Sequence, residues 1–151
     1  MNVLSILAEV ARRHPDRPAL ILGSRAIAFS ALRERIDRAS AGLQREGLQP
    51  GDRAIVMIPM SIDLYAALLA VLKIGAVAVF VDPWIGRRQI AAFAAFAGPR
   101  AWLGIPASHL LRLLAPGLRS IPITVTTGRR LGGLPARHTL AELAREPGDG
   151  H

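Results

Sequence analysis

The chain has no cysteine, one lysine, few aromatic residues and only four histidines. The absence of cysteine excludes a disulfide scaffold and a thiolate metal site, and it fits a reducing compartment. His14, His109, His138 and His151 lie far apart in sequence. None has the close spacing of a helical metal-binding pair, so no metal site is expected. Aromatic residues make up 5% and do not interleave with the basic ones, which leaves no material for a base-stacking platform. Eighteen of the 19 basic residues are arginine, and Lys73 is the sole lysine. The arginines are scattered, with no run longer than the pairs Arg12-Arg13, Arg87-Arg88 and Arg129-Arg130. A net charge of +8 invites a nucleic-acid reading, but this dispersal in an Ala-, Gly- and Pro-rich chain reads as coding bias and solvated helix faces.

What is present is apolar. Hydrophobic residues form 51% of 151 positions, enough for one folded domain with a real core. The N-terminus, MNVLSILAEVARRHP, lacks a basic leading region and Glu9 interrupts its short apolar run, so it does not read as a signal peptide. The run IDLYAALLAVLKIGAVAVFV, residues 62–81, approaches membrane-spanning length. Lys73 near its middle would cost about 2.5–3.5 kcal/mol in a bilayer. Gly75 also divides a leucine-rich half from a valine-rich half, which reads as a buried helix, a glycine stop and a buried strand. A soluble, cytoplasmic protein is expected.

The periodicity places a helix over residues 2–13, closed by Pro15, and a hairpin around Gly23-Ser24-Arg25. Ser30 is the expected N-cap of a helix over 31–46 whose buried stripe is Leu32, Ile36, Ala39 and Leu43. Glu34 and Arg38 on its outer face form an i,i+4 pair worth about 0.2–0.5 kcal/mol. Strand and helix then alternate: strand 53–58, helix 62–74, strand 76–81, helix 85–97, strand 101–104, helix 107–114 and strand 121–126. This alternation predicts an α/β fold: a mostly parallel sheet with helices on both faces, plus an N-terminal antiparallel hairpin. After Gly128 come several Gly and Pro residues and one short helical candidate, 140–145.

Few residues invite a chemical role. PITVTTGRR, residues 122–130, offers hydroxyls, a glycine and two arginines, as a phosphate-cradling loop would. It lacks further glycines and a lysine, and Thr124, Val125 and Thr126 alternate in strand fashion, so strand and turn is the better reading. Asp82, Pro83 and Trp84 follow a buried strand, the place where open α/β sheets collect ligands, and are the candidate substrate-pocket residues. The competing reading has Asp82 capping the next helix. Arg87 and Arg88 in that helix's first turn read as solvent-exposed rather than anion-binding. His109 has no identified serine or carboxylate partner to activate, and Ser108 beside it reads as an N-cap. Ser61 is a candidate N-cap with Asp63 in the turn it opens, and Glu142 and Glu146 read as a solvated helix face. No catalytic, cofactor-binding or metal-ligating residue is expected in the chain.

HPDRPALIL, FSALRERIDRASAGL and GLQPGDRAIVMIPMSIDLYAALLAVLKIGAVAVFVDP together resemble the N-terminal region of the acyl-adenylate-forming, AMP-binding superfamily. That superfamily includes acyl-CoA synthetases, peptide-synthetase adenylation domains and luciferase. VDPWIGRRQI and AWLGIPASHLLRLL are most similar to the fatty-acid CoA ligases and olefin β-lactone synthetases. The resemblance spans roughly residues 3–145. It implies the partial N-terminal subdomain of the adenylate-forming fold, with residues 1–128 as an α/β subdomain and 129–151 as a strand and linker tail toward a downstream region. It also implies ATP, Mg2+ and in some members coenzyme A as cofactors of the complete enzyme, and a fatty acid, with or without a β-hydroxyl, as substrate. The family's phosphate loop ending in lysine, its adenine and Mg2+ motifs and its lid lysine do not occur in these residues. The expected partner is therefore the remainder of such an enzyme, with no activity from this part alone. The alternative is a free-standing basic module for RNA, anionic lipid or an acidic partner.

Overall fold

A computed structural model describes residues 2–81, 86–128 and 136–145. Helix α1, Val3–Arg13, opens with a capping box in which the Asn2 side chain accepts from the Ser5 amide at 2.9 Å. Strands β1, Pro18–Leu22, and β2, Arg25–Ala28, form the expected antiparallel hairpin, a two-stranded sheet of its own. Its turn uses Gly23 at φ +60°, a value that disfavours any side chain.

Helix α2, Phe29–Arg45, buries Leu32, Ile36, Ala39 and Leu43 as its stripe requires. Its start differs from expectation. Ser30 is not the N-cap: Ala28 holds that position without a side-chain hydrogen bond. The amides of Phe29 and Ser30 donate instead to the carbonyls of Arg17 and Pro15, and the Ser30 hydroxyl donates to Pro15 as well, at 2.9 Å. The loop after α1 thus gives backbone acceptors to the first two orphan amides of the helix, in place of a side-chain cap. Glu34 and Arg38 pair at 2.6 Å on the outer face, as their spacing predicts.

Strand β3, Arg53–Met57, helix α3, Ile62–Ile74, and strand β4, Val77–Phe80, form the first crossover unit. Ser61 caps α3 by accepting from the Leu64 amide at 3.1 Å, and Gly75 ends it at φ +84°. Ala66, Ala67, Ala70 and Val71 have no exposed surface, and these small residues let α3 lie close between the sheet and α2. Lys73 is at the surface, paired with Asp37 of α2, and Asp63 pairs with Arg35.

Helix α4, Arg87–Ala97, strand β5, Ala101–Gly104, helix α5, Pro106–Leu114, a 3-10 turn at Pro116–Leu118 and strand β6, Ile123–Thr126, follow. Strand β7, His138–Thr139, and the short helix α6, Leu140–Leu143, complete the described chain. The five-stranded sheet is parallel throughout, in the order β4-β3-β5-β6-β7.

Alternation along the strands divides the core in two. Ala54 and Val56 of β3, Leu103 of β5 and Val125 of β6 face α2, α3 and α6. Ile55, Met57 and Trp102 face the other way, against Ile90 of α4 and Leu118 and Ile121 beyond α5. The α/β architecture with both faces covered is therefore as the sequence predicts. Residues 136–145 are built into it: β7 pairs with β6, Leu140 and Leu143 enter the first core, and Arg45 donates to the Leu143 and Arg145 carbonyls. Thr139 and Glu142 form a reciprocal capping box at the start of α6. Glu146 lies outside the described residues.

Candidate functional site

The strand order fixes where a ligand-binding cleft belongs. The crossover through α3 moves from β3 to β4 on one side, and the crossover through α4 returns past β3 to β5. Two right-handed crossovers in opposite directions place α3 and α4 on opposite faces, so the chain parts between β3 and β5. Beyond the carboxyl ends of those strands lies the topological switch point of an open parallel sheet.

A cleft of about 620 Å³ occupies that position. Val56 and Met57 of β3, with Ile58 and Pro59 after it, form one wall; Phe80 and Val81 form a second. Ile105 and the first turns of α5, through Ala107, Ser108 and Leu111, form the third. Local sequence explains each wall. Pro59 cannot extend the ladder and stops β3 at the rim. Pro106 at the first turn of α5 needs no amide partner and has its φ preset for a helix. The Ile105 amide reaches back to the Met57 carbonyl at 3.3 Å, tying β5 to β3 at the cleft floor.

The lining is almost wholly apolar, and its one side-chain hydroxyl is already committed. Ser108 is not an N-cap, contrary to its sequence reading. Ile105 holds that position without a side-chain bond, and Ser108 lies three residues on, buried. Its hydroxyl donates to the Ile105 carbonyl at 2.8 Å and accepts from Trp102 Nε1 at 3.2 Å. With its proton held by a carbonyl, Ser108 is no nucleophile. Gly104 permits this arrangement, since a Cβ there would lie 2.0 Å from Ser108 Oγ and 3.1 Å from Trp102 Nε1.

His109, the next residue, points elsewhere. It is fully buried, with Nε2 3.0 Å from the Val125 carbonyl, which fixes the proton on Nε2. Nδ1 has no hydrogen-bond partner among the described residues. Burial pushes its pKa below the ordinary value; the Val125 carbonyl opposes this, and the nearby Arg112 guanidinium adds to it. Ser108 and His109 are therefore neighbours in sequence but not a catalytic pair. Because the folded state holds His109 neutral, the unfolded chain binds the extra proton as pH falls through its ordinary value of 6.5. Stability that is complete above that pH is lost below it. The urea midpoint is expected to drop between about pH 7 and pH 5, and His109→Gln, which keeps an N–H for Val125, to flatten that slope. An unchanged slope in the variant would assign the effect to another group.

Of the sequence-predicted pocket residues, Asp82, Pro83 and Trp84 lie outside the described residues. The cleft wall formed by Phe80 and Val81 immediately precedes them. The stretch 122–130 behaves as strand and turn over its described part. Thr124, Thr126 and Thr127 are buried, Thr124 Oγ1 accepts from the Arg137 amide at 3.0 Å, and the Thr127 amide donates to the Gly104 carbonyl. Arg129 and Arg130 lie outside the described residues.

The residues at the cleft do not fit a nucleotide triphosphate or its metal. Among the described residues, no cationic side chain and no carboxylate lines it. Among the described residues, no group of three His, Asp or Glu is gathered to hold a metal ion. No described helix is long and apolar enough to cross a membrane.

Comparison with known proteins adds four findings. Residues 7–139 match the family described as AMP-binding enzyme. The chain is 35% identical to the olefin β-lactone synthetase of Stenotrophomonas maltophilia over 95% of its own length, but spans only 28% of that protein. Among solved structures, it is similar to the N-terminal subdomain of Klebsiella oxytoca NpsA in complex with anthranilyl-AMSN. That match has 37% identity and a TM-score of 0.63, over 68% of this chain and 27% of the other. A Rhodopseudomonas palustris protein assigned as a long-chain-fatty-acid CoA ligase shares the fold over 97% of this chain and 37% of its own, at a TM-score of 0.87 and 20% identity.

Proposed function

Since the chain belongs to the AMP-binding enzyme family, we propose that it is the first part of an ATP-dependent ligase that activates a fatty acid, with or without a β-hydroxyl, as its acyl-adenylate. The observation that carries this reading is the apolar cleft at the switch point, within a segment matched to the family over residues 7–139. Its described walls suit an acyl chain and offer a phosphate no charged side chain. The likeness to an olefin β-lactone synthetase over nearly the whole chain supports a fatty rather than an aromatic acid.

In the complete enzyme, acid and ATP give acyl-adenylate and pyrophosphate, and a thiol or the substrate's own hydroxyl then attacks the activated carboxyl carbon. The role of this segment is scaffold and one wall of the acyl site. Cations that neutralise the departing pyrophosphate come from the downstream polypeptide. The site of action is the cytoplasm.

Carboxylate-dependent ATP–pyrophosphate exchange tests the proposal. The isolated 151 residues are expected to show no exchange above background. Spliced in place of the matching segment of the Stenotrophomonas synthetase, they are expected to support exchange with fatty acids. Exchange by the isolated chain, or a chimera that accepts only aromatic acids, would overturn the reading.

A further inference from the structure

Helix α5 is built inside out. The face it turns to the protein carries Ser108, His109 and Arg112, all buried. Their polar atoms are used on backbone: Ser108 on Ile105, His109 on Val125, and Arg112 on the carbonyls of Leu118 and Arg119. The outward face carries Ala107, Leu110 and Leu114 as an apolar helical stripe, with half-buried Leu111 at its edge packed against the second core. Leu110 and Leu114 are 52% and 55% exposed. A surface helix ordinarily buries its leucines, and exposing them beside a cleft marks a surface that meets something else.

We propose that this stripe is the contact surface for the polypeptide that completes the enzyme, an inference that rests on the reading given under Proposed function. Three observations select that occupant. The stripe runs into the cleft, since Ala107 and Leu111 line both, so whatever covers α5 also closes the candidate acyl site. The olefin β-lactone synthetase similar to 95% of this chain is far longer, with only 28% of it matched. Charge disfavours a second copy of this chain. Residues 83–141 contain eight arginines and no Asp or Glu, equal to the whole net charge of +8. A segment of that net charge repels a second copy of itself and attracts a surface bearing carboxylates.

The test uses the isolated chain and a separately made Stenotrophomonas synthetase lacking the segment this chain matches. Binding is read by sedimentation velocity and calorimetry. The double variant Leu110→Gln/Leu114→Gln removes the stripe without altering buried contacts. Leu72→Gln on α3, across the sheet, is the control, and thermal melts establish that both variants fold. Wild type and control are expected to bind, and the double variant to bind at least tenfold more weakly. Equal binding by the double variant would overturn the proposal, as would no binding by wild type. So would self-association, or capture by phosphatidylserine vesicles, that depends on Leu110 and Leu114. A complex that forms through the stripe but shows no ATP–pyrophosphate exchange would leave the interface standing and defeat the functional reading. Restored exchange with equal binding by the double variant would do the reverse.

Discussion

Trp102→Ala is expected to bring the chain close to global unfolding. Trp102 has no exposed surface and sits in β5, the central strand, where it packs in the second core with Ile55, Ile90, Leu118 and Ile121. Deleting a buried indole costs about 3–5 kcal/mol in lost transfer and cavity terms. The Nε1 bond to Ser108 adds about 1 kcal/mol. Domains of this size are stable by about 5–15 kcal/mol in total, so the loss consumes much of the margin. Urea titration should show a sharply lowered midpoint with little change in slope. Trp102→Phe, which keeps an aromatic ring and loses only the bond and part of the ring system, should fall between wild type and alanine. A loss below about 1 kcal/mol in the alanine variant would mean that the second core is not packed around this side chain.

The order of elements was legible because each leaves a local signature. Helix Ile62–Ile74 and strand Ala101–Gly104 have the bounds read from sequence, one from its serine start and glycine stop, the other from a short apolar run. Signals that depend on distant chain were not legible. Ser30 looks like a cap until the loop at Pro15 and Arg17 supplies the helix's amides with carbonyls. Strand β7 has two residues, too few to show a period, and exists because β6 offers it an edge. The cleft follows from strand order, which periodicity does not encode, so its walls at Met57, Val81 and Ile105 were not predicted together. The inverted polarity of α5 was partly visible, as Leu110, Leu111 and Leu114 stand at helical spacing. Only the fold shows that Ser108, His109 and Arg112 face inward while Leu110 and Leu114 face out. Family likeness reached further than the residues alone, and it did so for function more than for geometry.

Gly42→Ala is expected to detach α6 from the body of the protein while α2 itself becomes a better helix. Gly42 is buried in α2, and a Cβ at that position would lie 2.3 Å from the Leu143 carbonyl oxygen and 2.8 Å from Leu143 Cβ. The atom in the way is backbone, so no side-chain rotation relieves the clash. Alanine in place of glycine favours an isolated helix by about 0.8–1 kcal/mol, and overpacking costs about 1–3 kcal/mol. The clash therefore outweighs the propensity gain, but only while α6 stays docked. The lower-cost response is for residues 140–145 to lift away, forfeiting the burial of Leu140 and Leu143 and the Arg45 bonds to the Leu143 and Arg145 carbonyls. Hydrogen exchange should then show lost protection at the Ala144 and Arg145 amides, with α3 and β3 unchanged. Net stability should fall by up to about 2 kcal/mol, the difference between these opposed terms. A variant that is more stable than wild type, with 140–145 still protected, would show that α6 does not pack on Gly42. Residues 136–145 would then be a tail beside the sheet rather than its fifth strand and cap.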